Sequence, residues 1–551
     1  MILDIAIAAL VAGLIVRRWV WDQTEPMRFV SDINNAFRQG TATLRIGYLN
    51  RYDEDAGQHT FDQEFGFDYA PGRLAIATLW TRYVRTKLDG PSQDWRFVED
   101  WSQPFYARAR SAVTPEGKPL TPYDLVRPLL IVNTTGEILA AIALFILVRR
   151  WTSGQRDSTP GSEGTFDDPD SSAARQEAPG SSEYLRTRRG AGMKPTILGL
   201  IAALFFWFNI AVIWNAHAWP QWDSWVLPFL LWALVAASFD CWFVAGALIA
   251  TGAMFKGQIL FSAPLFLLWP LWRGWPLAIA RWLIGAATAV AACTGVWLLR
   301  SHEEFNPDAI RWVITLAIAF ALLVIALRPR WRWYVAMPIA AVACGIILWQ
   351  FPILGARWIL AASGATFLVA AIVTWASWRA IAYAAAAWVS TSVLLCAVLF
   401  GGSMAWYQIG IAYGARHYMQ LTRGPANNLA SILEENYQWR APMETAMTLQ
   451  PGRVAGWIAP MVSSDQTTPY TPGQPLDIPL RSLLGAIYAV FVVLCSIGAA
   501  IQSKRGSPRF LIAVTAPWIV MFAVLPQMHE RYLMWGAALS AMTVAISPGL
   551  A

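Results

Sequence analysis

Gln527-Met528-His529-Glu530-Arg531 is a short charged punctuation between two apolar runs, residues 510–526 and 532–546. Runs of that length separated by so small a gap read as two helices that cross a hydrocarbon layer and turn at its surface. The three ionisable side chains then lie at or just inside that surface. Charge at such depth is costly, so it marks either a functional site or an ordinary polar hairpin.

The pattern extends along the whole chain. Of 551 residues, 56% are apolar and 14% charged, with a mean hydropathy of +0.41. Soluble domains carry about 25% charged residues. The fold expected is therefore an all-α, polytopic membrane helical bundle of about 14 transmembrane helices. In such a protein the net charge of +7 concerns topology and anionic lipid, and no nucleic-acid partner is expected. Cys241, Cys293, Cys344, Cys396 and Cys495 stand singly in apolar runs. They read as core fillers, with neither a disulfide nor a metal site implied. The apolar run 2–16 precedes Arg17-Arg18 and lacks both a leading basic segment and a small-residue cleavage site. It reads as a retained first span rather than a cleaved signal.

Basic residues orient the bundle. Arg149-Arg150, the group Arg186, Arg188, Arg189 and Lys194, the group Arg328, Arg330 and Arg332, Arg379, and the group Lys504, Arg505 and Arg509 fall on one side when the spans are counted. That side is expected to be cytoplasmic. Three regions follow. Residues 1–151 hold two spans and a long external loop, 17–124. Residues 152–193, rich in Ser, Gly, Pro and Asp, form a disordered cytoplasmic linker, because they hold too little apolar surface to offset ordering entropy. Residues 194–551 form the main bundle, with a second external loop at 402–481. The turns at 217–223, Lys256-Gly257-Gln258 and His529 share the external face.

Within the first loop, Phe29, Ile33 and Phe37 make one helical stripe with Asp32 beside it. An amphipathic helix of this kind is expected to lie along the membrane interface. Phe67-Asp68-Tyr69-Ala70-Pro71-Gly72 then gives an extended turn before a further apolar helix at 73–84.

Four motifs resemble one family. Asn215-Ala216-His217-Ala218-Trp219-Pro220-Gln221-Trp222-Asp223-Ser224 resembles the external-turn motif Asp-His-Gly-His-Phe-Gln-Tyr-Asn-Ser of the dolichyl-phosphate-glucose alpha-1,3-glucosyltransferases. Phe255-Lys256-Gly257-Gln258 resembles their Phe-Lys-Gln, Phe67-Asp68-Tyr69-Ala70-Pro71 their Leu-Asp-Tyr-Pro-Pro, and His529-Glu530-Arg531 their His-Glu-Lys. Met528-His529-Glu530-Arg531-Tyr532-Leu533 also looks like a C-terminal signature of bacterial integral-membrane glycosyltransferases. The four stand in the family's order across 65–535. Trp219, Ala70 and Arg531 depart from it. The resemblance implies GT-C architecture with interfacial helices in the first external loop. It also implies transfer of a hexose from a polyprenyl-phosphate sugar donor to a glycan or glycolipid acceptor on the non-cytoplasmic face, by an inverting single displacement.

That reaction needs one carboxylate base for the acceptor hydroxyl. It needs no acid for the phosphate leaving group, so the carboxylate pair of a glycosidase is unnecessary. Cations or donors must meet the charge growing on phosphate. Asp32 is the preferred base, with Asp22 and Asp68 as alternatives. The resemblance places the family's catalytic Asp at a similar distance before its Asp-Tyr-Pro-Pro motif, while a plain helix cap remains open for Asp32. Asp68, Tyr69, His217, Gln221, Lys256, Gln258, His529, Glu530 and Arg531 are the candidate substrate-binding residues. Bland readings stand beside them: a backbone-satisfied turn for His217, a snorkelling chain for Lys256, and interface-belt rings for Tyr69 and Trp222. Asp32, His217, Lys256 and His529 are expected to converge on one cavity. No cofactor or metal is required. A lipid-linked sugar flippase or transporter is the rival class and would show an internal repeat. With five Lys among 42 basic residues, the composition favours a bacterial inner membrane over the endoplasmic reticulum membrane.

Overall fold

The computed structural model describes residues 2–24, 30–52, 69–90, 104–109, 112–153, 195–220, 222–299, 364, 378–399, 402–412, 428–437, 444–462, 473–526, 528 and 530–547. Residues 154–194, covering nearly all of the expected linker, and most of 300–377, where further spans are expected, lie outside this set.

The described chain is predominantly helical. Its main helices are α1 (Ile2–Gln23), α2 (Val30–Ile46), α3 (Pro71–Asp89), α4 (Pro122–Thr152), α5 (Pro195–Trp207), α6 (Val226–Ser238), α7 (Trp242–Ala253), α8 (Ala263–Trp272), α9 (Pro276–Leu299), α10 (Trp378–Leu399), α11 (Leu480–Lys504), α12 (Phe510–Val524) and α13 (Leu533–Ile546). Among the described residues four helices are long and apolar enough to cross a membrane: α4, α9, the Ile381–Val398 part of α10, and α11. A fifth arises if Pro195–Trp207 and Ile210–Ala218, bent by 42° at their break, count as one span. The segments expected as spans on either side of the His529 turn form the shorter apolar helices α12 and α13. The expectation of an all-α chain misses one small element. Strands β1 (Thr445–Leu449) and β2 (Leu476–Pro479) pair antiparallel, with Leu449 opposite Leu476, and β2 runs straight into α11.

Sequence explains several joints. α4 opens with a reciprocal capping box between Thr121 and Asp124, with Pro122 at its first position, a strong helix-start signal. Gly246 of α7 and Gly285 of α9 let these helices touch backbone to backbone. A Cβ on Gly246 would stand 1.9 Å from the carbonyl oxygen of Trp282, and one on Gly285 1.9 Å from that of Phe243. Gly246→Ala must therefore push two backbones apart. We expect a loss of about 1–3 kcal/mol, the usual range for overpacking a close-packed core, read as a lower thermal midpoint of the detergent-solubilised protein.

The stripe of α2 departs from expectation. Ile33 and Phe37 are fully buried, with Phe37 6.0 Å from Trp80 and 5.6 Å from Phe105 between ring centroids. This face packs on protein rather than lying against lipid, because α3 and the turn at Phe105–Ala109 supply aromatic partners. Phe29, the first residue of the stripe, lies outside the described set. The loop segment is tied to the bundle at α9 and braced within itself. Trp297 of α9 donates its indole N–H to the Leu49 carbonyl (2.8 Å), and Tyr52 donates to the Tyr69 carbonyl (2.6 Å). Tyr48 donates to the Pro71 carbonyl (2.7 Å), and burial raises the pKa of its hydroxyl, keeping that proton in place.

Candidate active site

Where α2 begins, four charged side chains from four distant parts of the chain meet. Asp32 lies in the first turn of α2, where a carboxylate suits the positive end of the helix dipole. Its Oδ2 accepts the indole N–H of Trp219 (2.9 Å) and lies 3.4 Å from Nη1 of Arg531. Arg531 reaches on with Nε to Oδ2 of Asp223, also at 3.4 Å. The other oxygen of Asp223 is ion-paired with the Lys256 ammonium. The result is a chain of alternating sign: Asp32, Arg531, Asp223, Lys256.

Burial separates the two acids. Asp223 is fully buried, whereas the Asp32 side chain keeps 21% of its exposure and Arg531 16%. A buried carboxylate is stable only when paired, and Asp223 has two cations against it. Asp32 remains open to an incoming group.

The frame around these residues is made of irregular backbone at helix ends. Trp214–Ala218 is a π-helical turn, followed by a 3-10 turn at Asp223–Trp225. Asn133 of α4 clamps both, donating to the Ala216 carbonyl (2.7 Å) and accepting from the Trp225 indole (2.7 Å). Trp535 of α13 donates to the carbonyl of Asp223 (2.8 Å). Lys256 follows α7, at the entry to the 3-10 turn Gly257–Ser262, and its ammonium stands 4.9 Å and 5.6 Å above the rings of Tyr532 and Trp535. The backbone N–H groups of Gly72 and Arg73 both donate to the Met254 carbonyl, at 2.7 Å and 3.2 Å. A Cβ on Gly410 would stand 2.5 Å from Cα of Ala70, so glycine there lets the second long loop close over the first.

The expected site residues fall into three groups. Asp32, Lys256 and Arg531 join directly in the charged chain. Lys256 is not a snorkelling surface lysine, since its ammonium is turned inward onto Asp223. Tyr69 lies close by but fully buried, under the Arg73 guanidinium (3.7 Å) and edge-on to Trp222 (5.7 Å), so both rings form a wall rather than an interface belt. Gln258 is half-buried in the turn beside Lys256. Asp68, Gln221 and His529 lie outside the described residues. Glu530 opens the 3-10 turn that carries Arg531.

His217 stands apart from these residues. It does not enter the charged chain, and the expected convergence of Asp32, His217 and Lys256 divides in two. His217 Nε2 lies 3.3 Å from Glu137 of α4, whose other oxygen takes the Arg17 guanidinium at 2.5 Å. All three side chains are buried. The physical reason is Glu137 itself: a carboxylate at the middle of a long apolar helix must gather cations or donors, and Arg17 and His217 are the ones supplied. Of the alternative bases, Asp22 is nearly half exposed and pairs with Arg18 at 3.0 Å, with no contact to this site.

Two residues escaped the sequence reading. Asp223 stands inside the quoted external-turn motif, and only its position opposite Lys256 and Arg531 marks it out. Glu137 carries a clear signal, being the single acid within the apolar run 126–148. No metal-holding group of three or more His, Cys, Asp or Glu occurs among the described residues. Compared with protein families, curated proteins and solved structures, the chain matches none.

Proposed function

We propose that the protein is an integral-membrane hexosyltransferase of GT-C architecture, with about 14 spans, that uses a polyprenyl-phosphate sugar. The acceptor is a lipid-linked or surface glycan on the non-cytoplasmic face of a membrane, the bacterial inner membrane in this reading. One observation carries the proposal: a part-exposed carboxylate, Asp32, directly beside a part-exposed guanidinium, Arg531, on a floor formed by the buried Asp223–Lys256 pair.

This arrangement supplies what the reaction needs. Asp32 takes the proton of the acceptor hydroxyl as its oxygen attacks the anomeric carbon. The bond from that carbon to the phosphate oxygen breaks, and its electron pair leaves with the polyprenyl phosphate. Arg531, backed by Lys256, meets the charge that grows there. The incoming phosphate competes with Asp32 for Arg531, so donor binding itself releases the base. Asp223 holds both cations in place and does not touch substrate.

The buried Arg17–Glu137–His217 group favours a second reading, a lipid-linked sugar flippase or transporter, since charges within spanning helices often serve transport. Purified protein given a panel of radiolabelled polyprenyl-phosphate sugars and glycolipid acceptors decides between them. Transfer of label to acceptor is expected. Movement of the labelled lipid across a reconstituted bilayer without transfer would reject the enzyme reading.

A further inference from the structure

A cavity of about 300 Å³ opens between α1 and α4, and none of Asp32, Asp223, Lys256 and Arg531 lines it. Leu14, Arg17 and Arg18 line it from α1, and Tyr123, Arg127 and Leu130 from α4. Its lining has a definite polarity. Arg18, Tyr123 and Arg127 gather where α1 ends and α4 begins. Leu14, Leu130 and Ile131 come next, toward the middle of both helices. No Asp or Glu lines it among the described residues, although Asp22 and Glu137 pair with Arg18 and Arg17 from outside the lining.

The cations are held for use. Arg18 lies 3.6 Å above the Tyr123 ring, which fixes a side chain that would otherwise lose entropy on binding an anion. Arg17 is immobilised by Glu137, by the Gly13 carbonyl and by the Trp207 carbonyl. Below the basic end, apolar side chains face outward along both helices. Ile7, Leu10, Val11 and Leu14 of α1 and Ile131, Leu139 and Ile142 of α4 are all more than a third exposed. α1 and α4 run in opposite senses here, since Trp21, near the end of α1, meets Tyr123 at the start of α4, while Arg17, a turn earlier, reaches Glu137 further along α4. An apolar track therefore leads away from the cavity along each helix.

We propose that this cavity binds the phosphate headgroup of a lipid, with Arg18 and Arg127 on the phosphate and the hydrocarbon chain laid along the α1–α4 tracks. Two arginines suit phosphate better than lysines would, because each offers a planar fork of donors. A cavity at the small end of the ligand-site range, about 300–1,000 Å³, takes a headgroup and leaves the chain in the bilayer. The lipid is either a membrane phospholipid or a polyprenyl phosphate. The claim stands apart from the transferase reading, because variants of Arg18 and Arg127 leave Arg531 and Lys256 untouched, so their loss of affinity reads this cavity alone.

The test is thermal unfolding of the full chain in detergent, with phosphatidylglycerol, undecaprenyl phosphate, phosphatidylcholine or inorganic phosphate added in turn, for wild type and the double variant R18Q/R127Q. Both arginines are solvent-facing in part, so the variant keeps the buried Arg17–Glu137 pair and its fold. Stabilisation of wild type by phosphatidylglycerol or undecaprenyl phosphate is expected, with apparent affinity about tenfold or more weaker in the variant, as loss of charge-assisted bonds implies. Whichever of the two acts at the lower concentration identifies the source. Equal stabilisation by phosphatidylcholine would overturn the phosphate claim, equal stabilisation by inorganic phosphate the lipid claim, and unchanged lipid affinity in the variant the site itself.

Discussion

Asp32→Asn is expected to reduce sugar transfer by about 10²–10⁴-fold, the usual cost of removing a general base, while donor binding survives. Asparagine keeps the shape of the side chain and can still accept the Trp219 indole N–H, so the start of α2 holds. It cannot take a proton. It also no longer attracts Arg531, which is 3.4 Å away in the native site, and the guanidinium is left freer to meet phosphate. Donor affinity should thus stay level or rise as turnover collapses. Arg531→Ala should do the reverse in part, weakening donor binding together with turnover, since it meets a charge present in the ground state and growing in the transition state. Donor affinity by equilibrium binding and single-turnover transfer, measured on both variants, separates the roles. Near-native turnover in Asp32→Asn would pass the base to another carboxylate.

Asp223→Ala is expected to be the most damaging substitution in the site for the fold. It takes a buried carboxylate away from Lys256, which is only 8% exposed, and from Arg531. Breaking a buried ion pair from one side costs about 3–5 kcal/mol, because the remaining charge is uncompensated. That is a large share of the stability of an ordinary domain, about 5–15 kcal/mol. Pairing the change with Lys256→Met removes the orphaned ammonium and should restore much of the lost stability without restoring transfer. Thermal midpoints of the single and double variants form the check. If Asp223→Ala unfolds no earlier than wild type, the pair is not what holds this end of the bundle together.

The sequence was legible where its signals are local. A 14% charged composition and long apolar runs announced a helical chain with helices long and apolar enough to cross a membrane, and the charged gap at 527–531 pointed to Arg531. Lys256 and Asp32 were visible as polar residues in apolar surroundings. What could not be seen was pairing. Asp223 and Trp219 differ from other loop residues only in what lies opposite them, and that depends on helices hundreds of residues apart. Glu137 was visible but unread, and with it the placement of His217, which lies against it. The β1–β2 hairpin escaped because its strands, four and five residues long, sit within a loop longer than themselves.

The contact between Asp32 and Arg531 joins residues 499 positions apart, and this has a consequence for biosynthesis. Ribosomes add about 5–20 residues per second, so α2 emerges roughly half a minute or more before the turn that carries Arg531. Until then Asp32 lacks this guanidinium, Asp223 once made can meet Lys256 but not Arg531, and the Trp535 donor to the Asp223 backbone does not yet exist. A nascent chain released early would hold the carboxylate without the cation that faces it. Only a polypeptide translated past Arg531 can close the circuit, so this charged chain doubles as a completion mark for assembly.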